Sequence, residues 1–206
     1  MDRIELNHEI PVILIDNYYN DDELKLIWQE LEFLNYSHKL LPPSSTGAAN
    51  DNDTTLLKNN SGLFLDTIWN NQRQLSNILS VNRKLFENDM EILRQSPSWF
   101  YRTLVCTEDN SLLSYYEDGD YYQEHRDNAA VTVLSWFFKE PKCFSGGDLR
   151  LNLLGEIHEI TVKNNRTLIF PGAIPHSVTP VSMSEENKNQ GLGRYCLTQF
   201  LAYSKD

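Results

Sequence analysis

With 206 residues, 40% of them hydrophobic and 11% aromatic, the chain can fill the core of one domain and is short for two. A formal net charge of −11 opposes binding to a polyanion, because nucleic-acid affinity rests on Lys and Arg neutralising phosphates, so no nucleic-acid partner is expected. No apolar run reaches membrane-spanning length and Met1-Asp2-Arg3-Ile4-Glu5-Leu6 turns acidic at once, so neither a membrane span nor a signal peptide is expected. Cys106, Cys143 and Cys196 are odd in number and lack a Cys-x-x-Cys pair, which reads as reduced thiols in a cytoplasmic protein. Nothing in the sequence specifies an oligomeric state.

In chain order, Ile10 to Ile15 is a short apolar strand ending at Asp16. Asn20-Asp21-Asp22-Glu23 then supplies an N-cap and an acidic first turn. Leu24, Ile27, Trp28, Leu31 and Leu34 follow at the spacing of one buried helix face, with Trp28 in the core. From Ser37 to about Asn60 the residues turn small and polar, and Leu40 to Asp66 is expected to form part of a lid over a substrate. Thr67 to Leu93 carries apolar residues at helical spacing and predicts one or two helices. Trp99 to Thr107 reads as a strand, in which Arg102 is either an ordinary strand cation paired with a carboxylate or a substrate contact.

The segment Tyr116 to Asp127 places His125 and Asp127 two residues apart in strand-like sequence. On an extended chain such residues share a face and can present an imidazole nitrogen and a carboxylate to one point. Short strand-like segments follow: Val131 to Phe138 alternates and then runs apolar, Asp148 to Leu153 and Glu156 to Val162 alternate, and Arg166 to Phe170 rises into a turn. Turns at Ser145-Gly146-Gly147, Asn164-Asn165 and Pro171-Gly172 punctuate them, the cadence of a sandwich or barrel. His158 has no partner at ligand spacing and reads as a surface or structural residue.

A second candidate ligand, His176, opens the strand after the Pro171-Gly172 turn, and Arg194 begins the β-rich run to Tyr203. If those two strands are antiparallel successors, the polar loop from Ser182 to Gly193 lies at the end of the barrel opposite the metal. Two His and one carboxylate on one side of an ion leave adjacent positions open, the arrangement of non-haem Fe(II) oxygenases. A buried Arg suits a dicarboxylate co-substrate, because its planar fork takes a carboxylate through two parallel hydrogen bonds.

These residues resemble the Fe(II)- and 2-oxoglutarate-dependent dioxygenases, in particular the prolyl 4-hydroxylase-like branch, over Leu112 to Tyr203. The shared marks are Tyr116, Gly119, Tyr122, His125 and Asp127 as Tyr-x-x-Gly-x-x-Tyr-x-x-His-x-Asp, then Ser145-Gly146-Gly147-x-Leu149, His176 and Arg194. The resemblance implies that His125, Asp127 and His176 bind Fe(II), that Arg194 takes the far carboxylate of 2-oxoglutarate, that Tyr116 donates a hydrogen bond to it, and that Tyr122 lines the substrate side. It implies Fe(II) and 2-oxoglutarate as cofactor and co-substrate, with ascorbate as an accessory reductant.

Arg194 stands where many prolyl 4-hydroxylases use Lys, Trp136 where related enzymes often have Tyr, and Cys196 where some have Ser or Thr. The retained Asp127 implies hydroxylation rather than halogenation, and no second Arg follows Arg194 as it does in nucleic-acid demethylases. The implied fold is mainly β with flanking helices, a double-stranded β-helix (jelly roll, cupin-like) at 101–206. Residues 1–100 supply a strand, helices packed on the major sheet, and the lid. The expected substrate is a prolyl or other residue of a peptide or protein. The alternatives are oxygenation of a free amino acid or other small metabolite, and a non-catalytic metal-binding barrel.

Overall fold

The computed structural model describes residues 2–5, 11–47, 55–87 and 89–203, with side chains from residue 11 onward. The N-terminal part holds β1 (Asp2–Glu5), β2 (Ile13–Asp16), α1 (Asp21–Tyr36), β3 (Lys58–Asn59), β4 (Ser61–Phe64), α2 (Leu65–Ile68), α3 (Asn77–Asn82), α4 (Lys84–Glu87), α5 (Met90–Arg94) and α6 (Trp99–Thr103). Strands β5 (Glu108–Tyr116), β6 (Tyr121–His125), β7 (Val131–Phe137), β8 (Phe144–Gly146) and β9 (Leu149–Leu153) follow. The chain closes with β10 (Glu156–Ile160), β11 (Arg166–Pro171), β12 (His176–Val178), β13 (Val181–Met183) and β14 (Arg194–Ala202).

Two antiparallel sheets face each other as a jelly roll, with β8 and β13 pairing separately. The major sheet runs β1-β2-β11-β7-β14-β5-β4 and the minor sheet β10-β9-β12-β6-β3. Side-chain alternation sorts the major sheet into two cores. Leu14, Leu134, Trp136, Leu168, Phe170 and Cys196 point inward against Leu149, Leu151 and Val178 of the minor sheet. Their neighbours Ile13, Ile15, Val133, Phe137, Ile169 and Leu197 point the other way, onto Ile27, Leu31 and Leu34 of α1 and onto the short helices. Strand β7 is buried along its whole length, so its apolar run serves both cores.

Helix α1 begins as its sequence dictates. The Asn20 side chain accepts from the Glu23 amide while the Glu23 carboxylate accepts from the Asn20 amide, a reciprocal capping box. Trp28 is partly buried and meets Tyr195 edge-on.

The expected one or two helices over 67–93 are instead a series of short pieces. One reason is that Glu30 of α1 reaches across to cap α3: its carboxylate accepts from the Ser76 hydroxyl, the Ile78 amide at 2.8 Å and Trp69 Nε1 at 3.2 Å. Replacing Glu30 with Ala would strand these donors in a buried setting. Glu30→Ala is therefore expected to cost about 2–3 kcal/mol in urea unfolding, with Glu30→Gln recovering part of it.

Three other expectations are corrected. Residues Trp99–Thr103 form helix α6 rather than a strand, because the Ser98 hydroxyl caps it by accepting from the Phe100 amide and Tyr101 turns inward to donate to the Pro11 and Ile169 carbonyls. The loop expected from Ser37 to about Asn60 is interrupted by β3, which joins the minor sheet, and within Leu40 to Asp66 β4 joins the major sheet and Leu65 starts α2, while residues 48–54 lie outside the described residues. Residues 1–100 thus supply strands to both sheets and do more than support them. The strand expected at Ile10 to Ile15 begins at Ile13, Ile10 lying outside the described residues.

Candidate metal centre

Strands β6 and β12 bring the first imidazole pair together. They run antiparallel with a register shift that places His176 directly opposite His125 while Val178 lies opposite Tyr122. Such a bulge re-aims side chains beside a functional site. The two rings sit 4.2 Å apart, centroid to centroid. The chain then turns, and the Asp127 amide donates to the Gly172 carbonyl. Gly172 is needed there: a Cβ would stand 2.4 Å from the Ala129 carbonyl oxygen.

One ligand atom from each of His125, Asp127 and His176 lies within 4.8 Å of the others, the span of a single ion's ligand set. His125 Nε2 is 3.7 Å from one Asp127 oxygen and His176 Nε2 is 3.4 Å from the other. Each imidazole is fixed from behind, because Nδ1 of His125 lies 2.9 Å from the Gln123 carbonyl and Nδ1 of His176 lies 2.9 Å from the Ile174 carbonyl. With the proton on Nδ1, both Nε2 lone pairs face the ion position, the outer-partner arrangement that sets a metal-binding tautomer. The Asp127 carboxylate is held by the Thr132 hydroxyl at 2.6 Å. Burial, with the His176 ring beside it, pushes the His125 imidazole down to about 3, so it stands neutral and ready to ligate. The site residues fit a divalent ion of the non-haem iron class.

Arg194 lies on the same cavity, fully buried at the start of β14. Its guanidinium stacks over Tyr116 at 4.6 Å and near Trp136 at 5.7 Å, ring centroids to Cζ. Among the described residues, Nε and both terminal nitrogens have no hydrogen-bond partner, and Trp136 Nε1 beside it has none either. A buried, desolvated cation with all donors free is costly unless an anion completes it. The group expected there, a carboxylate, fits this vacancy of donors. Gly147 makes the room: it adopts φ +72° and a Cβ would stand 2.8 Å from Arg194 Cδ. Gly147→Ala is expected to weaken 2-oxoglutarate binding by about 10-fold, measured by titration calorimetry, since even a modest shift of a clamping Arg loses its two-point geometry.

The structure brings His125, Asp127, His176, Arg194, Tyr116 and Tyr122 to one cavity. The Tyr122 ring stacks on His125 at 3.5 Å and 11°. Arg102 is not brought there: its guanidinium donates to the Ser96 and Pro97 carbonyls at the start of α6, away from the lining of the cavity. His176 and Arg194 open strands in opposite sheets, β12 in the minor and β14 in the major, so they are not antiparallel successors. His158 lies on β10, with Nε2 3.7 Å from Glu156. Thr132 and Lys58 are the lining or supporting residues that sequence reading missed. Thr132 could have been found as one of two hydroxyl residues, with Ser135, in an otherwise apolar strand, whereas Lys58 carried no signal.

A second, wider groove of ≈ 1140 Å³ opens outward from Asp127 and Tyr122, lined by Phe64, Trp69 and Phe200 and by the amides of Asn70, Asn71 and Asn128. Among the described residues, no helix is long and apolar enough to cross a membrane.

Residues 111–202 match the family model of the 2OG-Fe(II) oxygenase superfamily. An uncharacterized PKHD-type hydroxylase from Synechocystis is 33% identical over 79 residues, covering 35% of this chain and 23% of the relative. A PKHD-type hydroxylase from Herminiimonas arsenicoxydans is 25% identical over 122 residues, covering 53% of this chain and 54% of the relative. The chain therefore spans about half the length of one curated relative and about a quarter of the other. Among solved structures, a Pseudomonas putida prolyl-4-hydroxylase is similar at TM-score 0.65 and 15% identity, over 94% of this chain and 92% of that one. A Trichoplax adhaerens prolyl hydroxylase, in complex with a hypoxia inducible factor peptide fragment, is similar at TM-score 0.65 and 15% identity, over 93% and 83%. At these identities the structural likeness speaks to the fold.

Proposed function

We propose that the protein is an Fe(II)- and 2-oxoglutarate-dependent hydroxylase acting on a C–H bond of a prolyl or other residue in a peptide, a reading supported by the match of residues 111–202 to the 2OG-Fe(II) oxygenase superfamily model. The observation that carries this reading is the unpartnered, fully buried Arg194 guanidinium in the cavity that also holds His125, Asp127 and His176. Bound together, the iron and the co-substrate supply the oxidising chemistry, including the cleavage that turns 2-oxoglutarate into succinate and carbon dioxide.

What the chain contributes is position and shelter. His125, Asp127 and His176 would hold the ion from one side, their orientation set by the Gln123 and Ile174 carbonyls and the Thr132 hydroxyl. Arg194 would receive the far carboxylate of 2-oxoglutarate, backed by the faces of Tyr116 and Trp136. Leu134, Leu149 and Val178 line the cavity and keep water from it. The Tyr122 ring, stacked on His125, forms the wall between this cavity and the outer groove, since it lines both.

The peptide reading is supported by that groove: at ≈ 1140 Å³ it exceeds the usual range for small-molecule sites, and its side-chain amides suit a peptide backbone. The Trichoplax neighbour, in complex with a peptide fragment, supports the same reading. The test is to supply Fe(II), 2-oxoglutarate, ascorbate and oxygen, and to screen proline-containing peptides against free amino acids for succinate release coupled to a gain of one oxygen in mass. Coupled gain on a peptide is expected, and succinate coupled only to a free amino acid would replace the peptide by a small-metabolite substrate.

A further inference from the structure

A second buried cation lines the cavity, and neither the metal nor Arg194 accounts for it. Lys58 on the edge strand β3 is 4% exposed, and its ammonium makes one hydrogen bond, to the neutral Thr46 carbonyl at 3.2 Å. It has no ion pair among the described residues. Strand pairing sets Lys58 opposite Tyr122 on β6, and its Nζ stands 5.5 Å from the Tyr122 ring that covers His125. Its charge reaches the centre: it raises the cost of protonating His125 and is itself favoured by Asp127. Burial pushes the ammonium down to about 8, which leaves it protonated at neutral pH.

Among the described residues, the charged side chains lining the cavity, apart from the imidazoles, are Lys58, Arg194 and Asp127. Arg194 and Asp127 balance. A divalent ion and the 2-oxoglutarate dianion also balance. One positive charge is left over, on Lys58, in a site poor in water. An uncompensated buried ammonium favours an anion over a neutral carbonyl, because the charge-assisted bond is the stronger one and the desolvation of the cation has already been incurred.

We propose that Lys58 is a substrate-binding residue that selects a carboxylate, so that the substrate presents a negative charge beside the carbon to be oxidised. This rests on the oxygenase reading, since the charge count includes the ion and co-substrate. The carboxylate has two possible sources: an acidic side chain of a peptide, or the free carboxyl of a chain end or amino acid. Lys58 reads the chemistry they share, and the residues of the cavity do not separate them.

The test uses the full chain loaded with Zn(II) in place of iron and saturated with 2-oxoglutarate, so that nothing turns over. Two matched pairs serve as probes in titration calorimetry: N-acetylproline against N-acetylprolinamide, for a free carboxyl, and N-acetylaspartate α-amide against N-acetylasparagine amide, for an acidic side chain. In at least one pair the acid is expected to bind about 10-fold or more tightly than its neutral partner, and the pair that discriminates identifies the source. In Lys58→Met that ratio is expected to fall to near one, while the rise in melting temperature on adding 2-oxoglutarate is unchanged. Equal binding of acid and amide, no binding of either acid, or discrimination that survives in Lys58→Met would overturn the proposal. Loss of the 2-oxoglutarate response in the unaltered chain would instead sink the oxygenase reading, so the two failures read out separately.

Discussion

His125→Ala, Asp127→Ala and His176→Ala are each expected to lower succinate release by well over about 100-fold and to strip the protein of bound Fe(II). The scale follows from metal chemistry: removing even an outer partner of a metal ligand costs about 10–100-fold in affinity or activity, and removing a ligand costs more. Each ligand is also held by one backbone or hydroxyl partner, so the remaining two keep their aim when the third is cut away. Folding should survive. His125 ends β6 and Asp127 lies in the turn that follows, both outside the apolar clusters that carry the two cores. The controls are metal content by mass spectrometry and a thermal melt of the metal-free protein. A variant that loses metal yet melts close to the parent supports the assignment, and retention of both metal and succinate release by any of the three would remove that residue from the centre. Thr132→Val should act in the same direction at the smaller scale of about 10–100-fold, because it frees the Asp127 carboxylate without removing it.

Arg194→Met is the second large effect, and here stability and function should move in opposite directions. In the free protein the guanidinium is fully buried with no hydrogen-bond partner on any nitrogen among the described residues, so the folded state carries a desolvated charge without one. An apolar side chain of similar length relieves that cost, and Arg194→Met is expected to raise the stability of the ligand-free protein by about 1–3 kcal/mol. With 2-oxoglutarate present the order reverses. Loss of a buried charge-assisted clamp costs about 2–5 kcal/mol, or roughly 30- to several-thousand-fold in affinity. The parent's rise in melting temperature on adding 2-oxoglutarate should therefore vanish in the variant. A ligand-free Arg194→Met protein less stable than the parent would show that the guanidinium has a structural partner, and an undiminished 2-oxoglutarate response would show that it does not bind the co-substrate.

The elements that sequence reading located share one property: their signals are local. The capping box at Asn20 and Glu23, the alternation in β9 and β10, the apolar runs of β7 and β11, and the turn at Asn164-Asn165 all follow from backbone conformations that neighbouring residues impose. Where reading failed, a long-range contact had outweighed the local preference. The aromatic run at Trp99 favours a strand by propensity, yet Ser98 caps it and Tyr101 is drawn inward to the Pro11 and Ile169 carbonyls. The polar stretch after Ser37 looked like one loop because β3 and β4 are short edge strands that pair far along the chain, Lys58 with Tyr122 and Phe64 with Leu112.

The chain by itself pointed to His125, Asp127 and His176 as candidate ligands and to Arg194 as their candidate companion, because His-x-Asp on an extended backbone shares a face whatever surrounds it, and a motif of residue types in fixed order needs no coordinates. Only the tertiary structure decided that His176 and Arg194 stand on facing sheets rather than on successive strands, that Gly147 clears the space for the guanidinium, and that Lys58 is buried in the same cavity. The reason is physical: burial and charge balance belong to groups brought together by sheet packing across long stretches of sequence, and no window of neighbouring residues records which charge will be left without a partner.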